Sequence, residues 1–273
     1  MNIFEILEKR EIKPADEFHR LAQIFNKEFW SYSKSECSSV KKIMDENFHN
    51  CSCRSSFLSI DDLLKSFQID EKTRYLVSWE TLFTYCEILR NVADEKIETI
   101  FQDDDFEKLR QMMLDNMNII LAKTNHGWAK IKEGYVIVDK NLATTEAIEC
   151  LEEKDAELAL KMIEYNRVLL KGNLARKREI LVTLADYTEP MNNDFKRSQY
   201  AALYNDSRFL VNAIDIRHNN SGKGDLPEKA KAWTPQEKEG WYDKTYQVLL
   251  TVILTRKHMD VSKEIQDLKP ARK

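Results

Sequence analysis

Apolar residues in this chain return every three or four positions over most of its length, the spacing that gathers them on one face of an α-helix. Phe18, Leu21, Ile24, Phe25, Phe29 and Trp30 form one such stripe. Leu76, Trp79, Leu82, Phe83, Cys86, Leu89 and Val92 form a second, and Leu109, Met112, Met113, Met117, Ile120 and Leu121 a third. The rhythm breaks in one place, where WAKIK and YVIVD flank Glu133-Gly134. Two short alternating or β-branched runs across a tight glycine turn predict a β-hairpin over about 128–139. Only six glycines and five prolines occur in 273 residues, so helices have few interruptions. The expected fold is all-α: a multi-helix bundle with one small central β-hairpin.

In detail, amphipathic helices are expected over 2–10 and 15–32, split by Pro14, then a polar loop around a short helix over 33–58. Ser59 followed by Asp61 and Asp62 reads as a helix entrance. Helices follow over about 74–97 and after Asp105, where the run Asp103–Asp105 suits a helix N-terminus better than a metal site. Beyond the hairpin, helices are expected over 143–153, 155–171, 174–199 with a break at Pro190, 203–217 and 235–258. Lys171-Gly172-Asn173 reads as a left-handed stop, and Thr234, Pro235 and Glu237 as a capping box. An isolated hairpin is marginal on its own, so it lies against helices or marks a seam. The boundary between an N-terminal region (1–140) and a C-terminal bundle (141–273) is placed there.

Acidic residues number 46 and basic ones 42, mixed throughout, so the net charge near −4 draws the whole molecule to neither nucleic acid nor membrane. The first residues, MNIFEILEKREIKPADEF, are charged from the fifth onward, and no later run approaches the roughly 18 apolar residues of a membrane span. A cytoplasmic protein is expected. Five cysteines at uneven spacing then read as thiols rather than a disulfide framework, and the Asn-x-Ser matches at Asn50, Asn205 and Asn219 carry no glycosylation meaning.

Cys37, His49, Cys51 and Cys53 are chemically able to hold zinc, but Cys-x-Cys lacks the two-to-four-residue knuckle and has no second pair, so no metal is expected. No Gly-rich phosphate loop, nucleophile elbow, His-Glu-x-x-His or dinucleotide fingerprint occurs, and no cofactor is expected. His19, His126 and His258 stand without a carboxylate or second ligand at helical spacing. Lys171, Arg176, Lys177 and Arg178 surround one turn; they either grip nucleic-acid phosphates or form an ion-paired face with Glu164 and Glu179.

The stretch NAIDIRHNN, residues 212–220, is unlike the rest. Cations and an Asn at a helix end complement the dipole and supply a left-handed stop. Arginine, imidazole and amides converging at one end are also what binds a phosphodiester and moves a proton without a metal. This helix end, followed by a loop and one more amphipathic helix, resembles the HEPN superfamily of bacterial helical domains, many tied to phage defence and toxin–antitoxin systems. In that family an Arg, a polar residue and a His four to six positions on form a metal-independent ribonuclease site at a dimer interface. Arg217 and His218 match the first part, while Ser221 to Glu228 contains no histidine.

The resemblance spans roughly residues 143–260. It implies Arg217, His218 and Asn219 as catalytic candidates, with Asn212, Asp215, Asn220, Trp241 and Asp243 in support. Asp215 and Asp243 would orient Arg217 or His218, and Trp241, Tyr242 and Tyr246 would pack near them or line a dimer seam, ordinary core being the alternative. It further implies RNA, a homodimer through the C-terminal bundle and a cognate regulatory protein as partners. Two readings stand open: a metal-independent ribonuclease of a defence or toxin-type system, and a non-catalytic helical interaction or RNA-binding module.

Overall fold

The computed structural model describes residues 11–31, 35–72, 77–94, 104–132, 134–151, 155–217, 227, 230 and 232–268. It divides into two compact units, Met1–Lys140 and Asn141–Lys273. Both are built mainly of helices, as the apolar spacing predicts, and the hairpin lies in the first. The segment 2–10 and Leu76 lie outside the described residues.

The first unit opens with α1 (Pro14–Phe25), where Pro14 occupies a position that needs no intrahelical N–H. Phe18, Leu21 and Phe25 are at most 1% exposed. The helix expected to reach residue 32 stops here. Asn26 folds back, its amide and its backbone N–H both donating to the Ala22 carbonyl, at 2.9 and 3.0 Å. The chain continues as strand β1 (Glu28–Ser31), paired antiparallel with β2 (Glu36–Ser39) so that Trp30 faces Cys37. Phe29 and Trp30 continue the helical spacing by coincidence, and as aromatic residues they suit a strand equally well. Trp30 is 54% exposed, so it does not belong to the core-facing stripe. This hairpin, not expected from the sequence, replaces part of the expected loop.

Helix α2 (Val40–Glu46) follows under a Ser39 cap, then two short 3₁₀ turns, Phe48–Asn50 and Ser52–Arg54. Helix α3 (Ile60–Ser66) begins under Ser59, whose hydroxyl accepts from the Asp62 N–H as its sequence position predicts. Helices α4 (Trp79–Asp94) and α5 (Asp104–Lys123) complete the unit and pack with α1. Leu82 and Leu89 of α4 and Met113 and Met117 of α5 are fully buried, each contributing about 1.5–3 kcal/mol, and Cys86 is buried with them. Met112 is 49% exposed and leaves the inward set.

Strands β3 (His126–Ile131) and β4 (Gly134–Asp139) form the predicted hairpin, with Trp128 opposite Ile137. It is stabilised by α4 rather than by strand pairing alone. Asn91 acts as a short third strand: its Oδ1 accepts from the Tyr135 N–H at 2.6 Å and its Nδ2 donates to the Tyr135 carbonyl at 2.8 Å. One helical turn earlier, Glu87 accepts from the Ile137 N–H at 2.7 Å.

The second unit contains α6 (Leu142–Glu149), α7 (Ala156–Tyr165), a 3₁₀ turn (Val168–Leu170), α8 (Leu174–Thr188), a second turn (Glu189–Met191), α9 (Asn192–Lys196), α10 (Ala201–Ala213) and α11 (Pro235–Leu268). Helix α11 is the axis of the unit, touching α6, α8 and α10. Its start carries the capping box: the Thr234 N–H donates to Glu237 at 2.8 Å, and the Glu237 N–H to Thr234 Oγ1 at 3.2 Å. It runs ten residues past the expected end at 258.

Other ends also move. Helix α7 stops at Tyr165 rather than 171, and Gly172, at φ +81°, supplies the left-handed bend predicted for it. Pro190 ends α8 and starts the turn that separates it from α9. Helix α10 ends at Ala213 instead of 217, and the left-handed residue is Asp215 (φ +64°). A short polar side chain tolerates that conformation better than a β-branched one, and the Arg217 N–H closes the end onto the Val211 carbonyl at 3.1 Å.

Candidate functional site

Arg217 lies two residues beyond the left-handed Asp215, so the chain reverses just before it and turns its side chain toward the C-terminal end of α8. There Asp186 waits on the last turn, and Glu189 on the 3₁₀ turn that Pro190 creates. One Arg217 terminal nitrogen donates to Glu189 Oε1 at 3.1 Å; the other donates to Asp186 at 2.9 Å and to Glu189 Oε2. Arg208, from α10, adds a longer contact to Glu189 at 3.5 Å. The hydrogen bond from Arg217 holds the Glu189 carboxyl below its usual range, and Glu189 in turn raises the guanidinium. Arg217 is thus a quarter-exposed cation with its fork filled by carboxylates.

The expected supporting residues go elsewhere. Asp215 accepts from Lys238 at 3.1 Å, and its carbonyl accepts from Arg178 Nε at 2.8 Å. Asp243 accepts from Lys177 at 2.7 Å and from the Tyr165 hydroxyl at 3.0 Å. Each carboxylate is held by a lysine of its own. Asn212 is exposed on α10. Trp241 stacks on Trp233 with ring centroids 5.3 Å apart, and Lys244 lies over it at 4.4 Å. His218, Asn219 and Asn220 lie outside the described residues.

The four cations around residue 172 divide in the same way. Arg176 forks onto both oxygens of Glu164, at 2.5 and 2.8 Å, and reaches Glu179 at 2.7 Å. Lys177 is 6% exposed and sits between Glu239 and Asp243, at 2.8 and 2.7 Å. Arg178 holds the Asp215 carbonyl, and Lys171 stands exposed. Of the two readings of this cluster, the geometry is that of an ion-paired face.

What sequence reading missed is a polar knot inside the bundle. Asn166, next to the end of α7, donates to the Tyr246 hydroxyl at 2.7 Å and to Thr144 at 3.1 Å, and Thr144 meets Tyr246 at 3.0 Å. Tyr165 stacks on Tyr246 with centroids 4.0 Å apart. Burial pushes both phenols far above their ordinary range, so they remain neutral donors at any physiological pH. Tyr242 and Tyr246, each 1% exposed, are core.

No family model, no characterised protein and no solved structure matches this chain.

The first unit holds a cleft of about 800 Å³ whose lining includes His19, Gln23, Lys41, Asp61 and Glu71. Lys41 is already engaged there: it bridges Asp61 and Glu71 at 2.6 and 2.5 Å, and Glu71 also accepts from the buried Tyr85 hydroxyl at 2.5 Å. The four candidate zinc ligands do not assemble. Cys37 donates to Glu28 across the first hairpin at 3.7 Å, while Cys51, between the two 3₁₀ turns, and Cys53, in the second, are a close pair, Sγ to Sγ 2.7 Å. Among the described residues no group of three or more metal-binding side chains comes together. No helix among them is long and apolar enough to cross a membrane.

Proposed function

We propose that the second unit is a HEPN-like helical module that works through interaction rather than cleavage. The observation that carries this reading is the fork of Arg217, filled by Asp186 and Glu189. A metal-independent nuclease needs that guanidinium aimed at a phosphodiester, where it offsets charge developing on the phosphorus oxygens. Here a phosphate would have to displace two carboxylates that already neutralise the cation. Arg176 and Lys177 are compensated in the same manner, leaving Lys171 as the exposed member of the basic cluster. RNA then binds weakly and through non-specific charge, and the module's specific partner is a protein, such as the cognate regulator that the HEPN resemblance implies.

The test is RNA cleavage in EDTA by the wild-type chain beside Arg217→Ala and His218→Ala, with circular dichroism to confirm folding. The expected result is intact RNA in all three. Cleavage by wild type that both substitutions abolish would overturn the proposal and install the ribonuclease of a defence or toxin-type system in its place.

A further inference from the structure

Positions i and i+2 of an extended chain stand about 7 Å apart, beyond the roughly 4.4–6.8 Å that separates the Cα atoms of a disulfide. A Cys-x-Cys sequence therefore brings its two sulfurs together only where the backbone bends between them. The first unit supplies that bend at Ser52, which opens the second 3₁₀ turn (Ser52–Arg54), while Cys51 before it is still extended (φ −70°, ψ 126°). Both sides of the bend are tied. The Cys51 N–H donates to the Phe48 carbonyl at 3.0 Å, and the Arg54 N–H donates to the Cys51 carbonyl at 3.1 Å. The turn also packs on α4.

The two thiols consequently lie within hydrogen-bond distance, Sγ to Sγ 2.7 Å. They differ in access: Cys51 is 6% exposed, whereas Cys53 is half-buried. Among the described residues no third metal-binding side chain joins them, and two thiolates fall short of the four ligands of a structural zinc site. What two adjoining thiols can do by themselves is exchange with a disulfide.

We propose that Cys51 and Cys53 form a reversible redox site whose co-reactant is a low-molecular-weight disulfide, with glutathione disulfide as the probe. Cys53, the more accessible thiol, loses its proton and attacks one sulfur of the small disulfide. That S–S bond breaks, and the first small thiol leaves carrying a proton. Cys51 then loses its proton and attacks the Cys53 sulfur, the mixed disulfide breaks, and the second small thiol leaves protonated. The protein dithiol gives up two electrons and two protons, and the small disulfide becomes two thiols. Excess small thiol drives the same steps backward. The site lies wholly in the first unit and shares no residue with the reading of Arg217, so either can fail alone.

Incubating the folded chain in a series of reduced and oxidised glutathione ratios, alkylating the remaining thiols and weighing the tryptic peptides tests the proposal. Cleavage after Lys42 and Arg54 releases one peptide that holds both thiols and no other cysteine. In wild type that peptide is expected to lose two hydrogens, to resist alkylation, and to return to its reduced mass under excess reduced glutathione. In Cys51→Ser, Cys53 is expected to retain one glutathione, since no thiol is left to release it. Cys53→Ser, whose remaining thiol is buried, is expected to stay reduced. The same series in urea should give a closed-to-open ratio lower by ~10-fold or more, because the bend no longer holds the pair together. A wild-type peptide that stays reduced or keeps glutathione, a Cys51→Ser chain with no more adduct than Cys53→Ser, or equal closure in folded and unfolded chain would each overturn the proposal.

Discussion

Gly134 stands directly against Asn91: a Cβ built on the glycine would overlap Asn91 Oδ1. That amide cannot swing away freely, because it is bonded to both the N–H and the carbonyl of Tyr135. Gly134 also has φ +140°, a conformation that side chains rarely adopt. Gly134→Ala is therefore expected to destabilise the first unit by about 2–4 kcal/mol, from backbone strain and broken hydrogen bonds together. In an Asn91→Ala background the clash is gone, and the same substitution should cost measurably less. Urea denaturation of the four proteins in the cycle checks this; equal costs in both backgrounds would show that the amide plays no part.

The knot of Asn166, Thr144 and Tyr246 is buried, so a missing member leaves its partners without compensation from water. Asn166→Ala is expected to cost about 2–3 kcal/mol and Tyr246→Phe about 1 kcal/mol. Because the two share a hydrogen bond, the double variant should lose less than the sum of the singles. Thermal unfolding followed by circular dichroism would report additive losses if the groups were independent.

Acid should loosen the second unit through two carboxyls. The hydrogen bond from Arg176 holds Glu164 below its usual range. At Glu239 burial acts upward, but the Gly172 N–H and the Lys177 ammonium outweigh it and the net shift is downward. Both groups bind protons less readily folded than unfolded. Their contribution is present above the unfolded carboxylate value near 4.3 and is lost as pH falls through their lower folded values. Denaturant midpoints measured from neutral pH down through this range should fall, and fall less steeply in Glu164→Gln. An unchanged slope in that variant would remove Glu164 from the account.

Thr234 and Glu237 satisfy each other's backbone donors at the start of α11. Thr234→Ala is expected to cost about 1 kcal/mol, and Thr234→Ser far less, since serine keeps the accepting hydroxyl. Hydrogen exchange at the first turn of α11 separates this local fraying from a loss spread over the whole bundle.

Features that depend on near neighbours are legible in the sequence itself. The hairpin around Gly134, the Ser59 and Thr234 caps and the break at Pro190 each rest on residues a few positions apart. The first hairpin is hidden because Phe29 and Trp30 keep the three-to-four spacing of α1 after the backbone has left it. The candidate site is hidden for another reason. Arg217 meets Glu189 and Asp186 at separations of 28 and 31 residues, and Tyr246 meets Thr144 at 102. Such pairings follow from how helices cross, and nothing in local spacing encodes which of several carboxylates an arginine will find. Helix α11 runs past 258 while Val261, Ile265 and Leu268 continue its three-to-four apolar spacing at exposed positions.

Trp233 and Trp241 lie nearly parallel, 15° apart and 5.3 Å between centroids, one before the cap of α11 and one on its second turn. Two indoles this close share their electronic excitation, and a coupled pair gives a circular dichroism couplet that neither ring produces alone. The couplet exists only while the segment bearing Trp233 is seated against the helix. Anything that pulls at the chain between Arg217 and α11, an RNA or a protein partner alike, would thus announce itself in the ultraviolet spectrum with no label attached.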